Sequence, residues 1–459
     1  MIKMRNSRTG KVEKFVPQNP KNIRMYVCGP TVYGAPHIGN ARAAVVFDVW
    51  FRLLREVYGA EHVTYVSNYT DIDDKIIDRS RNTKVPIEEI TSNAIFNYEM
   101  DMTHLNVLQP TIRTYATSYV SEMIQMIQQL VQKGHAFVNI TGDVLFDVSR
   151  NPHPGLEDNR KEFASRLVDH NNKEDSRDFV LWKRAKEGEP FWPSPWGDGR
   201  PGWHIECSAM IQKTLGKTID IHGGGTDLKF PHHHAECAQS HCANDAPLAN
   251  YWLHSDMVHI NSSKMAKSRG NTLTVRHLNS MYPGEVIRMW YLMTHYRSIL
   301  SYDDYGDNVG EAKLRLDTYY RMLYRYRNEE LPEVDHYEPI MASLCNDLNV
   351  SNALQLMFKL SNEIVVDGKP DLVKVAQVKK AGDLLGILQY DPEDWFHTGP
   401  NTNKADAEHL ISLRTDARKE RNWSLADDLR AQLSDIDVIV EDHQDGPFWY
   451  TRFGDIRPY

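Results

Sequence analysis

The spacing of apolar positions changes several times along the chain, and the changes divide it. IRMYVCGPTVY, from Ile23, is a short apolar run closed by a Gly-Pro turn, the pattern of a buried strand. After Pro36-His37-Ile38-Gly39-Asn40, ARAAVVFDVWFRLLREVYG places apolar residues at helical spacing up to Gly59. HVTYVSNYT, from His62, then returns to β-branched and aromatic residues. Strand, helix and strand in this succession predict a βαβ unit and a parallel sheet. From Pro86 to about Leu130 the spacing is helical, broken at Gln109-Pro110, and Phe137 to Val148 predicts two strands around Thr141-Gly142. Ser149 to Pro201 is polar and rich in Pro, Gly and Trp, the character of an insertion or of functional loops. GWHIECSAMIQKTLG predicts a helix and TIDIHGGG a strand running into three glycines. Pro231 opens another helix, and Tyr251 to Ile260 reads as a strand.

Beyond Tyr302 the pattern is helical: Glu311 to Glu330, Met341 to Val366 and Leu372 to Leu388 together predict a bundle. Pro392 to Ala405 reads as a linker, AEHLISLRTDARKERNWSLADDLRAQL as one helix, and Asp445-Gly446 as the turn of a short hairpin. The expected architecture is α/β: a Rossmann-like parallel-sheet domain over 1–301 with an insertion at about 110–225. A helical domain over 302–390 and a linker with a small C-terminal module over 391–459 complete it.

Composition narrows the setting. Five cysteines in 459 residues are too few for a disulfide-stapled secreted chain and fit a reducing compartment. The opening residues lack the apolar stretch of a signal peptide, and no segment approaches the ~18 uncharged apolar residues of a spanning helix. With 53 Lys+Arg against 62 Asp+Glu, the formal charge is -9. That argues against non-specific coating of nucleic acid but leaves a local basic face open.

Two groups of residues carry chemistry. In the first, Cys28 closes the opening strand, Cys207 lies in a predicted helix, and His232-His233-His234-Ala235-Glu236-Cys237 opens another. On a helix, His232 and Glu236 share a face at i,i+4, and with two thiolates they make a four-coordinate site suited to Zn²⁺. Spacing does not single out this set, because His233 and Cys237 are an equally good pair and Cys242 and His222 are further candidates. In the second group, His37-Ile38-Gly39-Asn40 stands where a strand hands over to a helix, and first-turn amides there favour a phosphate. Lys264-Met265-Ala266-Lys267-Ser268 lies in a polar loop whose two ammonium groups could neutralise charge in a phosphoryl or nucleotidyl transfer.

Taken together, these segments resemble the cysteinyl-tRNA synthetases, a family of class I aminoacyl-tRNA synthetases. CGPTVYGAPHIGNAR corresponds to the family's first signature, with His37-Ile38-Gly39-Asn40 as its HIGH-type element. NYTDIDDKI, GRPGWHIECSAM, GGGTDLKFPHHHAECAQS and KMAKS follow in family order. The resemblance implies zinc ligands at Cys28, Cys207, His232 and Glu236, one ion per subunit, with Cys28, Gly29, Thr70 and Trp203 around the amino acid. It implies ATP, with Mg²⁺, bound through His37, Gly39, Asn40, Lys264 and Lys267, of which His37, Asn40, Lys264 and Lys267 serve catalysis.

The implied reaction joins L-cysteine to ATP as cysteinyl-adenylate and then to the terminal ribose of tRNA(Cys), in a cytoplasmic monomer with no membrane partner. The family places the acceptor end of the tRNA near the insertion, its elbow on the helical domain and its anticodon on the C-terminal module. There, Arg414, Arg418, Lys419, Arg421 and Arg430 are candidate phosphate contacts and Trp423 or Trp449 candidate stacking partners. Two departures stand out: KMAKS where the family commonly reads KMSKS, and HHHAE for HHENE. A cysteine ligase of the mycothiol-pathway type, which passes activated cysteine to an aminosugar, would share the metal and ATP motifs. The long C-terminal extension favours tRNA, and intact His37, Lys264, Lys267 and metal ligands weigh against a silent scaffold.

Overall fold

The structure, a computed structural model, describes residues 1–151, 178–261, 263–264, 272–303, 308–366, 369–397, 402–443 and 446–451, with backbone alone at 263, 264 and 366. A hairpin of β1 (Lys3–Asn6) and β2 (Lys11–Lys14) leads into β3 (Ile23–Val27). All of β3 except Arg24 is buried, as a strand covered on both faces requires. α1 (Ile38–Tyr58) begins three residues before its apolar run, because His37 caps it, and ends at Gly59, whose φ of 99° suits glycine. β4 (Val63–Tyr69) follows.

Two elements here escape the apolar pattern. α2 (Asp74–Thr83) buries only Ile76 and Ile77 and is started by Asp73, whose carboxylate accepts from the Lys75 amide at 2.8 Å. α3 (Ile87–His104), with Pro86 as its N-cap, stops well before Gln109-Pro110, and the chain then forms β5 (Ile112–Tyr115) instead of resuming a helix. Four residues are too few for a period to register.

The insertion packs α4 (Val120–Gln132) with an antiparallel sheet in the order β6 (Ala136–Val138), β7 (Val144–Phe146), β8 (Phe179–Arg184), β9 (Gly199–Pro201). The centre of the polar stretch, 152–177, lies outside the described residues. α5 (Trp203–Leu215) returns the chain to β10 (Ile219–Gly225), α6 (His234–Asn244) and β11 (Ala249–Ser255). Both ends of the range 110–225 are therefore strands of the main sheet. The strand expected from Tyr251 to Ile260 divides after Ser255, and Val258–Ile260 (β12) pairs instead with Ser263–Lys264 and Leu300–Tyr302.

The main sheet is parallel throughout, in the order β11-β10-β3-β4-β5. The chain winds from β3 outward to β5, then returns beside β3 and winds the other way. A crevice opens at the carboxyl ends where the direction reverses, between β3 and β10. Gly223 lets β10 pack closely on α1, since a Cβ there would stand 2.2 Å from the Phe47 ring.

The helical part comprises Asn308–Arg325, Glu338–Cys345, Val350–Asn362 and Leu372–Leu385. The run Met341 to Val366 is two helices, broken where Asp347 and Leu348 take positive φ. Asp347 accepts there from the Arg5 amide and the Tyr296 hydroxyl. One hydrophobic core joins the α/β and helical parts, drawing on residues from Ile2 to Phe396, while a second joins Tyr26, Val66 and Trp252 to the insertion. Within it the buried Arg288 guanidinium pairs with Asp48 of α1 and donates to the carbonyls of Leu105 and Leu385. The expected linker is helical over Pro392–His397, with Trp395 and Phe396 buried. The predicted C-terminal helix is two, Lys404–Lys419 and Trp423–Asp435, separated at Arg421 (φ 61°) and restarted by the Asn422 cap. Val438–His443 and Gly446–Thr451 form the hairpin; Asp445 lies outside the described residues.

Candidate active site and metal centre

A cavity of about 320 Å³ occupies the crevice. Cys28, Gly29, His37, Gly39, Asn40, Thr70, Trp203, Cys207 and His232 all line it. Glu236 is fully buried behind them. Lys264 is described by its backbone alone, and Lys267 and Ala266 lie outside the described residues.

The start of α1 forms one wall. His37 Nδ1 accepts from the Asn40 amide at 3.2 Å, while Asn40 Oδ1 accepts from the His37 amide at 3.2 Å. This reciprocal cap has a chemical consequence. A nitrogen that accepts carries no proton, so the imidazole proton resides on Nε2 and His37 is a donor there. Together with the positive end of a 21-residue helix, this wall favours an anion.

The opposite end is the thiol–imidazole cluster. Cys28 Sγ lies 3.7 Å from Cys207 Sγ and 3.5 Å from Glu236 Oε1, and His232 Nε2 lies 2.9 Å from the same oxygen. Four donors from three separate stretches of chain thus meet within 4.8 Å. Around a tetrahedral ion with thiolate bonds of ~2.3 Å and N or O bonds of ~2.0 Å, two sulfurs stand ~3.8 Å apart and sulfur ~3.5 Å from oxygen. The sulfur separations fit this; the His232–Glu236 distance is a few tenths shorter than the ~3.3 Å of the same geometry. His232 lies in a wide turn over Lys229–His233, just before α6, yet still reaches Glu236 as an i,i+4 pair. Cys237 and Cys242 are buried, and burial pushes both thiols up to about 11, the behaviour of core cysteines.

The electrostatics point the same way. Burial, then the neighbouring Cys207, raise the Cys28 thiol well above its ordinary value. In Cys207 burial is outweighed by Cys28 and His232, which bring the thiol down to about 6. Glu236, despite burial, is held well below the carboxylate range by His222 and His232. His232, also against burial, is pushed up to about 10 by Glu236 and Cys207. The acids favour a cation in their midst, a role that protonated His232 fills here and that a divalent ion could take over, with His232 then neutral.

Several residues here were not singled out by the sequence. Asn68 Oδ1 accepts from the Gly29 amide at 2.9 Å and stands 3.8 Å from Cys207 Sγ, while its Nδ2 donates to Thr70 Oγ1 at 3.3 Å. Asn68 and Thr70 project from one face near the end of β4, a two-residue spacing that was present in the sequence. Gly29 is needed for this crossing, since a Cβ there would lie 1.6 Å from the Asn68 carbonyl oxygen. His204 Nδ1 lies 3.0 Å from His232 Nδ1. Burial, with His232 next, pushes His204 down to about 3, so it is neutral and can accept the His232 Nδ1 proton, leaving Nε2 for an ion. Trp203 stacks on His232 with centroids 4.2 Å apart.

The chain is similar to known proteins along most of its length. A family model described as the tRNA synthetases class I (C) catalytic domain matches residues 14–311. Mycobacterium tuberculosis methionyl-tRNA synthetase in complex with methionyl-adenylate superposes with a TM-score of 0.57 at 13% identity, over 84% of this chain and 96% of that one. The fold is that of the class I aminoacyl-tRNA synthetases.

Residues 403–449 match the cysteinyl-tRNA ligase anticodon binding domain. The cysteine–tRNA ligase of Maricaulis maris is 45% identical over 95% of this chain and 96% of its own length, and that of Granulibacter bethesdensis is 43% identical over 97% and 94%. The chain belongs to the cysteine–tRNA ligase family.

Proposed function

We infer that the chain joins L-cysteine to its tRNA at the expense of ATP, and that its four-donor cluster holds zinc and selects the amino acid. The observation that carries this reading is the convergence of Cys28, Cys207, His232 and Glu236 at the floor of the cavity whose wall is the start of α1. Serine differs from cysteine by one atom, and small isosteric differences give a shaped pocket only ~10–200-fold discrimination. Zinc, when bound, supplies the missing chemistry, because a soft thiolate is a good ligand for it and an alcohol a poor one.

The protein's own residues do the rest. The substrate carboxylate is already anionic near neutral pH, so its attack on the α-phosphorus needs alignment and charge neutralisation more than a base. His37 Nε2–H donates toward the phosphates, and Gly39 and Asn40 shape the approach of the adenosine at the start of α1. Lys264 and Lys267 are assigned to the leaving pyrophosphate, with Mg²⁺ accompanying ATP. Asn68, Thr70 and Trp203 enclose the amino acid beside the metal.

The tRNA is assigned to three regions, with acceptor end, elbow and anticodon at the insertion, the helical part and the C-terminal module. Boundaries at about 301 and 390 are the proposed division, and a monomer the proposed state. No helix among the described residues is long and apolar enough to cross a membrane.

The test is a zinc-replete assay reading ATP–pyrophosphate exchange and tRNA charging separately. Cysteine-dependent exchange together with charging is expected. Exchange without charging would favour the aminosugar acceptor, and neither reaction would favour a silent scaffold.

A further inference from the structure

The carboxylate of Glu236 divides its two oxygens. Oε1 faces Cys28 and His232. Oε2 is taken by His222 Nε2 at 2.7 Å, and both side chains are wholly buried. An ionised carboxylate only accepts, so His222 Nε2 carries the proton and donates it. The His222 ring has little freedom to turn away. It projects from β10, stacks on Trp252 with centroids 4.5 Å apart and planes 15° from parallel, and meets Tyr26 edge-on at 5.5 Å.

We propose that His222 is a positioning residue for substrate selection: by holding Oε2, it makes Glu236 meet the metal through Oε1 alone and so keeps a coordination position open for the substrate's sulfur. The proposal rests on the reading that Cys28, Cys207, His232 and Glu236 hold the ion. Each of those four donors offers one atom, so an ion held by them would have room for a further ligand from the cavity. If Glu236 turned to offer both oxygens, the protein alone would supply five donor atoms, and zinc rarely accepts more than about five. Cysteine would then have to displace a protein donor before it could bind. A second reading of the same contacts makes His222 itself a ligand, since Cys28, His222, His233 and Glu236 also converge within 4.8 Å, and the test separates the two.

Two substitutions divide the donor from the ring. His222→Phe keeps a flat ring against Trp252 and removes the N–H, whereas His222→Gln loses the ring but can place an Nε2–H near the same point. Both are made in the full-length chain, with zinc content and the visible spectrum of the cobalt-loaded protein read beside exchange kinetics. Outer hydrogen-bond partners of metal ligands are worth about 10–100-fold. His222→Phe is therefore expected to raise the KM for cysteine by about that factor, with one zinc retained and the KM for ATP unchanged. Its cobalt absorption should weaken as coordination number rises. His222→Gln should restore both the KM and the spectrum.

The reverse order, with Phe behaving as wild type and Gln impaired, would show that the ring only packs. Loss of zinc from both variants would make His222 a ligand, and either result overturns the proposal. Absence of metal from the wild-type protein would instead overturn the zinc reading itself, and this inference with it.

Discussion

The candidate metal pocket and the C-terminal module are both rich in polar side chains but dispose them in opposite ways. In the pocket, Cys207, His232 and Glu236 are buried and converge on one another at the floor of a cavity, so their polarity is directed at something the protein must bind. In the module, some of the charges that looked available for a ligand face the protein instead. Arg414, read from sequence as a phosphate contact, is buried and clamps Asp442 with two hydrogen bonds of 2.8 and 2.9 Å, while Arg418 reaches the same carboxylate at 3.4 Å. Lys419 pairs with Asp416 at 3.0 Å. Trp449 is buried and stacks on His397 at 3.9 Å, which removes it as a platform for bases. Trp423, 57% exposed with the Arg418 guanidinium over its ring, remains a candidate. Convergence of polar groups in a buried place marks a site, whereas a run of charges along a helix does not.

The largest expected effect lies in the pocket. Cys207→Ser should remove zinc and lower cysteine-dependent pyrophosphate exchange by more than the ~100-fold seen for outer partners of a metal. Zinc stoichiometry measured beside the exchange rate checks this, and full occupancy with wild-type kinetics would dissolve the contrast between the two regions. Next comes Trp423→Ala, which should leave exchange untouched and weaken tRNA binding by about 1–3 kcal/mol, the worth of a stacked base. A charging assay over a range of tRNA concentrations reads it, and Trp449→Ala should instead lower the melting temperature.

The smallest effect is Asp442→Asn. The Arg414 guanidinium holds the Asp442 carboxyl below its ordinary range, so the folded-state value lies under the unfolded one. The pair therefore stabilises the module above the ordinary carboxylate range, and that contribution is lost as pH falls through the depressed value. Solvent screening limits it to about 1 kcal/mol. Stability followed at Trp449 should accordingly fall as pH drops through the carboxylate range, while Asp442→Asn, less stable near neutral pH, should flatten that dependence and converge with the wild type in acid.

How far the sequence could be read follows the same contrast. The core of the α/β fold was visible because β3, α1, β4, α5 and β10 each carry an apolar run long enough to show a period. β5 and α2 were not, one being four residues long and the other burying only two. The breaks at Asp347-Leu348 and at Arg421 rest on one or two positive φ values that no periodicity announces. In the site, spacing brought His232 and Glu236 together but left His233 and Cys237 as good a pair. Only the family resemblance chose between them, since three-dimensional proximity groups Cys28, Cys207, His232 and Glu236 but also Cys28, His222, His233 and Glu236. Asn68, His204 and the grip of His222 on Glu236 join residues distant in sequence, which a linear pattern cannot express. In the module the sequence showed how many charges there were, but not that Arg414 and Asp442 cancel each other.

The most direct measurement is X-ray absorption at the zinc edge of the purified, full-length protein, alone and with saturating cysteine or serine. The account predicts two sulfur neighbours in the free protein, three with cysteine, and two with serine. A zinc shell that keeps two sulfurs when cysteine is bound, or a protein active on cysteine with no zinc at all, would contradict it.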